Sequence, residues 1–192
     1  MKRPEIARAL ALVALVLAGC PIPQTVPEYP KGTSITPPRI VAETAVPDAG
    51  SAVIRVPTGC TPEPSLELSA SLVDENTDET VEARWFVDYV GADPSRDVSY
   101  RTDRIEGIHQ PDPNRPITTR AIPPYPFSPY AFGAAAGTVH VVELVVSNGF
   151  DPAADRVPVG GVPALPNRTP LPSFETQVYR WVVLLTNDPC PP

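Results

Sequence analysis

Few residues in this chain of 192 can do more than hydrogen-bond or pack. There are three cysteines, Cys20, Cys60 and Cys190, and two histidines, His109 and His140. A thiol can pair with another thiol, take an acyl group or bind a soft metal, depending on compartment and surroundings. A histidine acts as a base only beside a nucleophile and an orienting group. The two here are far apart in sequence, and His140 stands in an apolar alternating stretch, where a packed, hydrogen-bonded ring is the expected role. No Gly-x-Ser-x-Gly, His-Glu-x-x-His, phosphate-binding glycine loop or Cys-x-x-Cys occurs. The acidic stretch 74–80, DENTDET, offers oxygen ligands on Asp74, Glu75, Asn76, Asp78 and Glu79. It lacks the glycine and the spacing of an EF-hand loop and reads as a solvated hairpin tip. Carboxylate pairs could act on sugars, but no pair stands out among the many loop acids. These residues predict no enzyme, no metal and no cofactor.

A different kind of candidate lies at 122–132. Tyr125, Phe127, Tyr130 and Phe132 alternate with Pro123, Pro124, Pro126 and Pro129. Proline holds the backbone extended and the rings supply contact area. Two readings stand: a docking surface for a partner or a glycan, or rings that close the open end of a core. Asn167-Arg168-Thr169 also matches a glycosylation sequon.

The N-terminus decides where this chemistry takes place. Lys2, Arg3 and Arg8 precede an unbroken apolar run over 9–18, and Leu17-Ala18-Gly19-Cys20 follows. A basic start, a short apolar core and small residues before a cut site make a secretory signal. Ten apolar residues are too few for a membrane span, which needs about 20. Leu17-Ala18-Gly19-Cys20 resembles the lipobox of bacterial lipoproteins. The resemblance implies cleavage before Cys20, diacylation of its thiol and acylation of the new amine; a plain secretory signal is the alternative. The membrane partner is then reached through lipid on Cys20. By resemblance to the sorting rule of enteric bacteria, Pro21 in place of Asp implies the outer membrane. Export places the remaining thiols in an oxidising compartment, and two is an even number, so a Cys60–Cys190 bridge is expected. Two free thiols, or a bond to a partner, are the alternatives.

Removal of 1–19 leaves twelve basic against twenty-one acidic residues, a net charge of −9. That balance argues against nucleic acid and against electrostatic docking on anionic lipid. The 28 prolines leave little room for helix. Residues 21–38 carry six of them with no apolar periodicity and read as a tether, so that 20–38 is lipidated cysteine plus spacer and 39–192 is the folded domain.

Within that domain, strands are expected at 39–46, 52–56, 66–73, 81–90, 98–105, 117–122, 138–147 and 176–186, with no convincing helix. Residues 66–73 alternate cleanly: Leu66, Leu68, Ala70 and Leu72 share one face. Val81, Ala83, Trp85, Val87 and Tyr89 share a face of the next strand, with Glu82, Arg84, Phe86 and Asp88 opposite. His140, Val142, Leu144 and Val146 form one face of 138–147, and Tyr179, Trp181, Val183 and Leu185 one face of the last strand. Residues 151–173 form a Pro/Gly loop too long to be ordinary, hence functional or disordered. Trp85 and the run His140-Val141-Val142-Glu143-Leu144-Val145-Val146 resemble immunoglobulin-like and polycystic-kidney-disease-type modules, without the core cysteine pair of antibody domains. The resemblance implies an all-β, immunoglobulin-like sandwich of about seven strands. Trp85 should then be buried at its centre, with Trp181 less central. Such modules bind and scaffold, so a non-catalytic binding or scaffolding component of an envelope assembly, with an envelope protein as partner, is the expected function. A surface carbohydrate-binding or hydrolytic lipoprotein is the alternative.

Overall fold

Apolar residues at every second position become strands because side chains of a strand point alternately to its two faces. A computed structural model describes residues 36–48, 53–91, 93, 96–108, 119–155 and 166–191, all within one compact unit. The signal, Cys20, nearly all of the tether and His109 lie outside the described residues. The nine strands found are β1 (Arg39–Val46), β2 (Ile54–Pro57), β3 (Leu66–Val73), β4 (Val81–Val87), β5 (Arg101–Ile105), β6 (Thr119–Ala121), β7 (Tyr125–Phe127), β8 (Val139–Ser147) and β9 (Gln177–Thr186). Among the described residues there is no α-helix, and no helix long and apolar enough to cross a membrane.

Two open sheets form. In the first, β3 pairs antiparallel with β1 on one side and with β6 and β7 on the other. β6 and β7 are two pieces of one edge: Ile122 N donates to Ala70 O at 3.0 Å between them. Pro123 and Pro124 then break the ladder, because proline has no N–H to give. The second sheet runs β2-β9-β8-β4-β5, with β2 parallel to β9 and the other pairs antiparallel.

The inward faces of the two sheets share one core, and it includes the apolar faces expected for β3, β8 and β9 and, on β4, Val81, Ala83, Trp85 and Val87. Tyr89, expected on that same face, packs instead on the outward side against Phe86, because β4 ends at Val87 and Asp88 turns the chain with φ 49°. Trp85 is fully buried, and its Nε1 donates to Asp103 Oδ2 at 3.1 Å. Trp181, expected to be less central, is equally buried and stacks on Trp85 with 5.7 Å between ring centroids. The reason is β2. It pairs with β9 from the far side, so β9 is no edge strand, and Trp181 Nε1 reaches Pro47 O at 3.0 Å.

The acidic tip also differs from expectation. Glu75 and Asp78 are exposed, but the Asp74 side chain is fully buried. Arg120 Nη2 donates to it at 3.1 Å and Asn148 Nδ2 at 2.9 Å. Arg120, itself 5% exposed, also donates to Glu79 O, which ties the turn to β6. On the other side of the turn, a Cβ on Gly107 would lie 2.2 Å from Asp78 O, so only glycine fits.

Candidate functional site

Cys60 and Cys190 are bonded, with Cα atoms 5.6 Å apart, as the even pair predicts. Of the four rings of the aromatic segment, two are buried and two half-buried. Phe127 is fully buried and Tyr125 is 9% exposed, because β7 adds to β3 and turns both rings inward. Tyr125 stacks on Trp85 at 5.1 Å, and burial, with a contribution from Tyr100, pushes its hydroxyl above the usual phenol range against the opposing Arg101. Tyr130 and Phe132 are half-buried in the short 3-10 turn that follows (Pro129–Phe132), where Tyr130 Oη donates to Pro57 O. These rings close the end of the core, the second of the two readings.

His140 is 1% exposed and hydrogen-bonded. Its Nδ1 lies 2.8 Å from Asp88 Oδ2 and its Nε2 lies 3.3 Å from Gly133 O. Asp88 Oδ1 accepts from Val141 N at 2.8 Å, and Asp88 adopts φ 49°, a backbone region costly for a non-glycine residue. Both ring nitrogens are thus tied, which fixes the Gly133 turn to β8 and to the end of β4. A cleft of about 430 Å³ opens beside them, walled by Tyr89, Val90, Phe132, Val139 and Val141.

The outward face of the five-stranded sheet is the larger feature, and it has two halves. In the half nearer residue 39, the β8–β9 connection folds back over the strands. Phe150 packs with Phe86 and Val145, both fully buried. The Arg84 guanidinium stands 4.0 Å from the Phe150 ring centre, and donates to Glu82 Oε1 at 2.6 Å, Asp155 Oδ1 at 3.1 Å and Asn167 O at 2.5 Å. Arg168 lies 4.3 Å from the Tyr89 ring centre and donates to Glu143, and Ser99 N donates to Pro166 O. Burial, then Asp97, raises the Tyr89 hydroxyl, with Arg168 opposing. The connection expected to be functional or disordered is therefore a strap in its described parts, 148–155 and 166–176. Asn167 of the sequon is 3% exposed, and its amide donates to Asp155, so the folded chain offers no acceptor for a glycan.

Among the described residues no segment lies over the other half of that face. Val141 pairs with Val182 and Val139 with Leu184, all pointing away from the core. Val139 is 52% and Val182 36% exposed, and Val53 and Val90 flank them at 44% and 42%. Ion pairs surround this strip: Arg55–Asp188 at 3.0 Å, Arg180–Glu143 at 2.5 Å and Arg96–Asp93 at 3.8 Å. The Thr186 hydroxyl first, and then Arg55, hold the Asp188 carboxyl below the usual carboxylate range.

Among the described residues no group of three His, Cys, Asp or Glu side chains is placed to hold a metal. What the arrangement supplies is contact surface. Comparisons of the chain with family models, with curated proteins and with solved structures match nothing.

Proposed function

We propose that this chain is a lipid-anchored envelope protein. In this reading lipid on Cys20 holds it to the outer membrane, 20–38 is the tether, and an immunoglobulin-like sandwich serves as a non-catalytic binding or scaffolding component. The observation that carries the reading is the Cys60–Cys190 bond. It uses two of the three cysteines in the way usual for an oxidising compartment, and leaves Cys20 as the odd one, inside the lipobox-like stretch. The immunoglobulin-like part is supported by topology. The first strand region divides between sheets, β1 joining β3 and β2 running parallel to β9, while a buried Trp sits on β4. Binding is favoured over catalysis because polar side chains at the cleft are already engaged: Asp88 and His140 are bonded to each other, and Glu143 accepts from Arg168 and Arg180.

Metabolic labelling with a fatty acid tests the anchor. Wild type takes up label and migrates as the processed form, whereas Cys20→Ser takes up none and keeps its signal. Equal labelling of the two chains overturns the reading.

A further inference from the structure

We propose that the Cys60–Cys190 bond is a site of thiol exchange: an external thiol attacks Cys190, and the domain stays folded when the bond opens. The inference goes beyond the attachment proposed above and does not depend on it.

The two sulfurs are unequally placed. Cys60 is 8% exposed, in the turn that follows β2. Cys190 is exposed, in a terminal stretch, 187–191, that is exposed throughout and joins no strand. Pro189 and Pro191 flank it, and proline has no N–H with which to extend a ladder. Exchange goes through attack of a thiolate on one sulfur of the bond, so access selects the sulfur, and exposed bonds are the exchangeable ones. The reachable sulfur here is that of Cys190.

The fold around the bond is also held without it. β2 pairs with the end of β9 from Ile54–Val183 to Pro57–Thr186, and Thr58 N donates to Thr186 O at 2.9 Å. Asp188, two residues before Cys190, accepts from the Thr186 hydroxyl at 2.8 Å and from Arg55 Nε at 3.1 Å. Opening the bond therefore frees the chain only beyond Asp188. Cys60 belongs to neither hydrophobic cluster, so its release removes no member of the core. The freed thiol has an acceptor in place, since Pro57 O lies 3.7 Å from Cys60 Sγ.

The step balances. A thiolate bonds to Cys190 Sγ as the bond between the two sulfurs breaks. Cys60 leaves as a thiolate, takes a proton from water and donates a hydrogen bond to Pro57 O. A monothiol stops at the mixed disulfide on Cys190. In a dithiol, the second thiolate attacks its own sulfur of that mixed disulfide and expels Cys190. Two electrons have then passed to the protein, and the dithiol has closed to a disulfide.

The test uses the purified full chain under native conditions. Free thiols are first blocked with N-ethylmaleimide, so the state of Cys20 does not enter. Glutathione is added briefly, new thiols are capped with iodoacetamide, and peptides are mapped by mass. Glutathione on Cys190 with the cap on Cys60 is expected in roughly tenfold excess over the reverse. After full reduction by dithiothreitol, the stacked Trp85–Trp181 pair should keep its near-UV signal and Thr58 N its protection from hydrogen exchange. The denaturant midpoint should fall, because the unfolded chain is no longer a closed ring. Glutathione equally on both cysteines or mainly on Cys60, no exchange until denaturant is added, or loss of the near-UV signal on reduction overturns the inference. Each of these outcomes leaves the anchor untouched. Absence of fatty-acid label with the expected exchange pattern removes the anchor and leaves this inference standing.

Discussion

The outward face of the five-stranded sheet presents the same strands to two different fates. Near Gln177 the chain covers its own sheet: Phe86, Val145 and Ser147 are fully buried beneath the strap. Two register steps further on, Val139 and Val182 stand in the open. The side chains are of one kind in both halves, so hydrophobicity alone does not separate them. The difference lies in what holds the cover down. Where the strap lies, Arg84 and Arg168 link it to Glu82, Asp155 and Glu143, and the carbonyl of Asn167 completes the set. Over the valine strip no described segment supplies such links. The covered half is held by the strap, and the open half leaves apolar side chains accessible.

That contrast can be broken by substitution. Phe86→Ala should cost ~3–5 kcal/mol, the range for emptying a fully buried aromatic site, read as a lower midpoint in a denaturant melt with the bridge intact. A midpoint like that of wild type would mean that the strap contributes nothing to the fold. Arg84→Ala should cost less, ~2–3 kcal/mol, because Asp155 and Asn167 O lose a buried partner while Glu82 stays partly solvated. Its melt should also show earlier hydrogen exchange at Asp151 and Leu171, whose amides donate within the strap. Val182→Ser should move the midpoint by less than ~0.5 kcal/mol, as surface changes do. A larger loss there would show that the open half is part of the core, and that the two halves are one.

Much of this was legible in the sequence, and the rest was not for definable reasons. The alternation of Leu66 to Leu72 and of Val142 to Val146 marks the inward faces, because burial on one side leaves a period of two. Trp85 follows from that pattern. Trp181 does not, because its centrality depends on β2, whose parallel pairing with β9 is a contact between distant segments. β7 escaped notice since Pro123, Pro124 and Pro126 read as a loop; at an edge, Pro126 opposite Glu67 sacrifices no needed hydrogen bond. The strap did leave a trace. Phe86 sits among Glu82, Arg84 and Asp88, and Val145 stands on the outward face of β8; both are covered by the strap, whereas Val139 on the same face of β8 is not, so an apolar outward residue hints at cover without locating it. Nothing in the string pairs Arg120 with Asp74 or Arg84 with Asp155, since such partners are chosen by the fold and not by spacing.

The bond between Cys60 and Cys190 spans 130 residues and joins a turn made early to the last stretch of the chain. Among the described strands β2 pairs with β9 alone. Synthesis runs from the N-terminus, so Cys60 lacks the thiol it bonds to, and β2 lacks β9, until residues 177–190 have been made. A chain truncated between the two would keep Cys60 without that partner and β2 without its ladder, and the domain would lose two of its longest-range ties at once.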